Sequence, residues 1–269
     1  MRAIIARTVW ALLVCLGCGV AARAAESNPA APALPAPAEA QGATLEPQVT
    51  AALQRMSATI KAAPAFTVRV NSLREGILPN GQHVLLGGTG AIAARKPNRL
   101  AATAGSDLGN FTLSYDGTAV TLFTPTQNVY AASPLTGDLE RAVAWVEERL
   151  GIEIPVRPLL AADPYAALMA AGPTTGILVG QSFVRDTAVN HFALRNPSID
   201  WEIWLEASPR ALPLRVSVVY REEGGGIRVT MEFSDWNLTP RLTDRDFVFV
   251  PPPGAVPATL VLRSEGGSP

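Results

Sequence analysis

Ile199-Asp200-Trp201-Glu202-Ile203-Trp204-Leu205-Glu206 decides the fold. Apolar side chains take every second position, Ile199, Trp201, Ile203 and Leu205, and Asp200, Glu202 and Glu206 fall between them. A period of two marks a β-strand with one face buried and the other wet. The next two segments repeat it. In Leu212 to Glu222, Leu214, Val216, Val218 and Tyr220 oppose Arg215 and Arg221; in Ile227 to Trp236, Ile227, Val229, Met231 and Phe233 oppose Arg228 and Glu232. Gly224-Gly225-Gly226 reads as the hairpin loop between these two strands. Acids on one strand and arginines on the next predict cross-strand charge pairs on the water-facing side. Trp204, on that charged side, is expected to pack under a helix or a neighbouring segment. An apolar sheet face this wide must be covered.

Outward from this block, Gly176 to Phe183 and Asn190 to Arg195 read as strands before it, and Phe247 to Val250 as a last strand after it. Nearer the N-terminus, Phe66, Val68 and Val70 alternate with Thr67, Arg69 and Asn71, and Asn80-Gly81 signals a hairpin into His83 to Leu86. Gly87, Gly88 and Gly90 then read as a bulge or sharp bend. Phe111 to Tyr115 and Ala119 to Phe123, joined at Asp116-Gly117, make another hairpin, and Asn128 to Ala131 a short strand.

Two stretches have a helical period instead. Over residues 47–62, Pro47 suits the first position and Val49, Leu53, Met56 and Ile60 form one stripe, stopped by Pro64. Leu139, Val143, Val146 and Leu150 form a second stripe, ended by Gly151. Asp163 and Pro164 open a shorter helix carrying Tyr165, Leu168 and Met169, with Gly172 as its stop. The link between these two, Ile152 to Leu160, is apolar but broken by Pro155 and Pro158. Residues 134–172 are therefore expected as a helical insertion across or beside the sheet.

The N-terminus has its own pattern. Arg2 and Arg7 precede the apolar stretch Val9 to Val20, and Ala22-Arg23-Ala24 is an A-x-A cleavage site, so residues 1–24 read as a secretion signal. This stretch is short for a bilayer span, which needs about 20 apolar residues, so an uncleaved anchor is the lesser, competing reading. Cys15 and Cys18 both lie in this segment, leaving the cleaved chain without thiol, disulfide or thiolate metal site. Leu16-Gly17-Cys18 resembles the end of a lipoprotein signal, with Cys15 where leucine is usual; lipid on Cys18 would add peripheral membrane contact without changing the domain. Residues 25–47, with Pro29, Pro32, Pro35, Pro37 and Pro47 among alanines, read as a flexible leader. Residues 48–262 are expected as one domain and 263–269 as a polar tail. Loss of Arg2, Arg7 and Arg23 reduces 22 basic residues to 19 against 23 acidic ones, a net charge of −4. With no basic patch, nucleic acid is excluded as a partner.

Reactive chemistry has little to work with. His83 and His191 are the only histidines, so a zinc site would need both plus carboxylates. There is no G-x-S-x-G elbow, no G-x-G-x-x-G between strand and helix, and no P-loop lysine. No metal, no cofactor and no enzymatic activity are expected. A hydrolase using Asp200, Glu202 and Glu206, or His191, is the weakest reading, because charge pairing accounts for the same residues. His191 and Arg195 share a strand face with Ala193; were that face to line a cavity, Arg195 would anchor an anionic head group.

Several segments resemble a known family: Asn190 to Arg195, Asp200 to Glu206, Leu212-Pro213-Leu214-Arg215, Phe233-Ser234-Asp235-Trp236-Asn237, Asp246 to Phe249 and Pro253-Gly254-Ala255. Over residues 48–260 the chain resembles the periplasmic lipoprotein carriers of the LolA/LolB type and, more closely, the predicted periplasmic proteins grouped as DUF2092. The resemblance implies an α+β fold: a large curved antiparallel sheet, an incomplete β-barrel, whose concave apolar face is lidded by helices 138–150 and 163–171. It implies a periplasmic location and a non-catalytic carrier of a lipid, acyl chain or other hydrophobic molecule. The expected lining is Val68, Val70, Phe111, Leu113, Val143, Val146, Leu168, Met169, Trp201, Ile203, Val216, Val218, Met231 and Phe233, with His191 and Arg195. An interaction module with a closed core, binding an envelope or outer-membrane protein, is the alternative.

Overall fold

The computed structural model describes residues 44–260 apart from 153, 155, 171, 174 and 222–225. The segments expected as a secretion signal and as a tail, Cys18, the expected leader up to residue 43 and Gly224-Gly225 lie outside the described residues.

Period-two segments become thirteen strands of one sheet: β1 (Thr44–Leu45), β2 (Ala65–Ile77), β3 (His83–Arg95), β4 (Arg99–Ser106), β5 (Gly109–Tyr115), β6 (Ala119–Thr124), β7 (Val129–Pro134), β8 (Thr175–Val184), β9 (Thr187–Arg195), β10 (Ile199–Glu206), β11 (Pro213–Tyr220), β12 (Ile227–Asn237) and β13 (Val256–Pro257). Their order is β1-β8-β9-β10-β11-β12-β2-β3-β4-β5-β6-β7-β13, so the curled sheet is open, with β1 and β13 at its edges. Every pairing is antiparallel except the two-residue edge pairs β1–β8 and β13–β7. Register carries one inner face across the sheet. Trp201, Val218, Val229 and Arg74 form one cross-strand row; Ile203, Val216, Met231 and Ser72 form the next.

Three expectations are corrected. Gly87, Gly88 and Gly90 form no bulge, since β3 pairs with β2 and β4 without a register shift. β4 was not expected at all: Leu100-Ala101-Ala102-Thr103-Ala104-Gly105 has too little large apolar alternation to announce a strand. Phe247 to Val250 is no strand. Thr243 and Asp246 build a capping box that winds Asp244–Phe247 into a single 3-10 turn and buries Phe247, after which the chain is extended.

Helix α1 (Pro47–Ala62) starts at Pro47 and buries Val49, Ala52, Leu53, Met56 and Ile60. Each such large side chain is worth about 1.5–3 kcal/mol of burial. Val49 sits beside Gly176 of β8, and at the far end Lys96, after β3, donates from Nζ to the Ile60 carbonyl at 2.7 Å. α1 therefore crosses the inner face from β8 to β3. Burial beside that helix end pulls the Lys96 ammonium below its ordinary value.

The helical insertion begins where the Tyr115 hydroxyl donates to the Gly137 carbonyl at 2.7 Å and the Leu139 N–H to the Pro97 carbonyl at 2.9 Å. Asp138 caps α2 (Leu139–Trp145) by accepting the Arg141 N–H at 2.9 Å. The predicted stripe continues through a π-helical turn, Val146–Leu150, closed by Gly151 at φ 66°. The apolar link contains one short helix, α3 (Arg157–Leu160), and α4 (Pro164–Ala170) follows. α4 is tied to α1: Asp163 accepts from Lys61 Nζ at 2.9 Å and Ser57 Oγ at 3.1 Å, while Ser57 Oγ accepts the Tyr165 N–H at 3.0 Å. The Lys61 hydrogen bond, with the Ala166 N–H, lowers the Asp163 carboxyl to about 2.

Candidate functional site

The inner face is covered by two different elements. Where α1 crosses it, bulky residues fill the space, with Phe66, Phe192, Leu194, Ile203 and Leu205 all buried. Beneath the stretch from Val146 to Leu160 the space is not filled. A cavity of 220 Å³ lies there, with a floor of β2, β3, β4, β5 and β12 and a roof of Val146, Ile152, Ile154, Val156 and Leu160. One water needs only about 10–15 Å³.

Strand parity and small side chains make this cavity. The row Phe233, Val70, Gly90, Ala104 and Phe111 runs across five strands, and Met231, Ser72, Gly88 and Ser106 form the next. Between the aromatic ends of the first row, β3 and β4 supply only a glycine and an alanine. A Cβ on Gly88 would come within 2.6 Å of Ser72 Oγ, and one on Gly90 would collide with the Thr103 carbonyl oxygen. Glycine thus lets β3 lie against the Ser72 hydroxyl of β2 at Gly88 and against the β4 backbone at Gly90.

The two ends of the cavity differ. At one, Leu100, Leu113, Val146 and Leu160 are buried. At the other, Ser106, Leu108 and Gly109 are exposed and Ser72 and Arg74 half-buried, so the cavity reaches solvent there. Arg74 is the one charged side chain among the described lining residues.

Five expected residues meet at this cavity: Val70, Phe111, Leu113, Val146 and Met231. Val68, Val143, Trp201, Ile203, Val218 and Phe233 are buried in the core outside it. Val216, Leu168 and Met169 are half-buried against that core, and α4 lies along α1 rather than over the cavity. His191 and Arg195 face away from it, because register places His191 opposite Trp204 and Arg195 opposite Asp200 on the outer face. Sequence periodicity does not reveal Ile152, Ile154, Val156 and Leu160, because Pro155 and Pro158 break their apolar run. It also passes over the alanines of β4 and Arg74, which continues the inward alternation of Val68, Val70 and Ser72.

The outer face carries the expected charge pairs. Arg195 Nη2 donates to Asp200 Oδ2 at 2.9 Å, and that contact holds the Asp200 carboxyl below its ordinary range. Arg215 Nε donates to Glu232 at 2.9 Å and Arg228 Nη1 to Glu202 at 2.8 Å. His191 Nε2 lies 3.0 Å from Glu202 Oε2, and its ring stacks on Trp204 at 4.0 Å. Arg215 covers Trp204 from 5.4 Å, so side chains of neighbouring strands, not a helix, shelter this tryptophan. A 380 Å³ dish lies here between Leu73, Leu85 and Trp204, walled by these paired charges. Among the described residues, no three His, Cys, Asp or Glu side chains gather where a metal could sit.

A family model described as "Predicted periplasmic protein (DUF2092)" matches residues 50–261. No curated protein matches the chain. Among solved structures, the lipoprotein LppX of Mycobacterium tuberculosis is similar at 14% identity, covering 74% of this chain and 100% of that one, with a TM-score of 0.44. An uncharacterized conserved protein of Thermus thermophilus is similar at 10% identity, with coverages of 79% and 99% and a TM-score of 0.44. A LolA superfamily protein of Nitrosomonas europaea is similar at 11% identity, with coverages of 73% and 97% and a TM-score of 0.33.

Proposed function

We propose a carrier function for this chain, which belongs to the DUF2092 family of predicted periplasmic proteins: it reversibly binds a lipid, acyl chain or similar hydrophobic molecule and performs no covalent chemistry on it. The observation that carries this reading is the apolar cavity between β2–β5 and the roof from Val146 to Leu160. Each buried methylene contributes about 0.8 kcal/mol, so eight engaged methylenes supply roughly 6 kcal/mol before entropic costs. That is enough for reversible binding without metal or cofactor. The roof segment Ile152–Leu160, held by one short helix, would shift to admit the guest, and release would need an acceptor with a better site.

The test is direct. The chain cleaved after Ala24 is purified from its own periplasm, extracted with organic solvent, and the extract analysed by mass spectrometry. Lipid at near-stoichiometric amount is expected, together with saturable binding of a fluorescent fatty-acyl probe to the stripped protein. Absence of both would overturn the carrier reading in favour of an envelope interaction module.

A further inference from the structure

We infer that Leu100 sets the length of guest chain the cavity accepts: an unbranched apolar chain enters at the open end and halts with its tip against this side chain. This rests on the carrier reading above and adds a length limit to the class of guest. The register of β2 to β5 carries it, because successive cross-strand rows of inward positions lead from the open end to the closed one. Ser72, Gly88, Ser106 and Gly109 form the row at the open end, where Ser106 and Gly109 are exposed. Val70, Gly90, Ala104 and Phe111 follow, then Val68, Ile92, Ala102 and Leu113. The last row, Phe66, Ala94, Leu100 and Tyr115, is buried throughout. Leu100 is the one member of that row that lines the cavity. Its cross-strand neighbour Tyr115 is held by the hydroxyl bond to the Gly137 carbonyl at 2.7 Å, so the row has a fixed backing. From the open end inward, β4 therefore presents Ser106, Ala104 and Ala102, all small, and then the large Leu100. Close packing of the last row leaves a chain no room to pass it. A charged or polar end driven there would lose its water with nothing to replace it, so the apolar tip goes in first.

The experiment displaces the fluorescent fatty-acyl probe from the stripped full-length mature chain with saturated fatty acids from octanoate to stearate, in steps of a single carbon. Each added methylene should tighten binding about fourfold until the tip meets Leu100. Further methylenes then stay in water beyond the open end, and affinity levels off. Leu100→Ala, which trims an isobutyl group to a methyl, should move that plateau to chains about two to three carbons longer. Ala102→Leu, a row nearer the open end, should move it to shorter chains by a similar amount. Leu108→Ala, at the open end itself, should leave it in place. A rise that continues to stearate, a folded Leu100→Ala with the plateau unmoved, or a shift caused by Leu108→Ala overturns this inference and leaves the carrier reading standing. Should Leu100→Ala fail to fold, Ala102→Leu decides alone, and an unmoved plateau there overturns the inference. Failure of the unsubstituted chain to bind the probe or any of the acids overturns both.

Discussion

The same sheet face is full under α1 and hollow under the segment from Val146 to Leu160. Both halves keep the period of two, and both present their apolar side inward. Side-chain volume separates them. The filled half brings Phe66, Phe192, Trp201, Ile203 and Leu205 against Val49, Leu53, Met56 and Ile60. The hollow half offers Gly88, Gly90, Ala102 and Ala104 against Ile152, Ile154 and Val156. Close packing is the rule for protein interiors. A run of small inward residues on two adjacent strands therefore leaves space that the protein's own side chains do not fill.

This contrast can be broken most forcefully in the filled half. Leu53→Ala, on the fully buried stripe of α1, is expected to cost about 2–5 kcal/mol of stability. Urea unfolding would show it, and a loss under half a kilocalorie would mean that α1 does not pack as described. Adding the same bulk to each half sharpens the comparison. Ala52→Leu, on the buried face of α1, should destabilise by about 1–3 kcal/mol through overpacking. Ala104→Leu, on the cavity floor, should change stability by no more than about 0.5 kcal/mol and weaken acyl binding about tenfold or more. Equal destabilisation by the two would show that the cavity is an ordinary core.

Acid should act on the α1–α4 clasp rather than on the cavity. The folded Asp163 carboxyl lies near 2, below its ordinary 3.8, so its stabilising contribution is complete above about pH 4 and is lost as pH falls toward 2. Hydrogen exchange in α4 should rise over that window, and Asp163→Asn should remove that pH dependence. If exchange stays flat in the unsubstituted chain, the clasp is not what secures α4. The smallest effect belongs to the outer face. Arg228→Ala, which removes an exposed pair with Glu202, should cost less than about 1 kcal/mol and leave acyl affinity unchanged in the same titration.

Most of the architecture was legible because amphipathic periods are local. The α1 stripe, the Asp138-to-Gly151 helical run and the strands from Thr175 to Asn237 follow from spacing alone. The cavity was poorly legible for a reason that explains its existence. Residues small enough to leave room, as in β4, lack the bulky alternation that announces a strand. Ile152 to Leu160 looked like a link because its prolines break any period, yet its apolar side chains form the roof. His191 and Arg195 drew notice as functional residue types, whereas the pairing of β9 with β10 sends both outward to Trp204 and Asp200.

By itself the sequence determined the class of fold, the presence of a wide apolar sheet face and the scarcity of catalytic or metal-binding groups, since each depends on residue type and short-range spacing. Only the tertiary structure decided which part of that face is filled and which is hollow, and that Arg74 stands at the open end. Those outcomes depend on which helix crosses which strands and on the register that sums side-chain volumes across them. A linear pattern does not carry that sum.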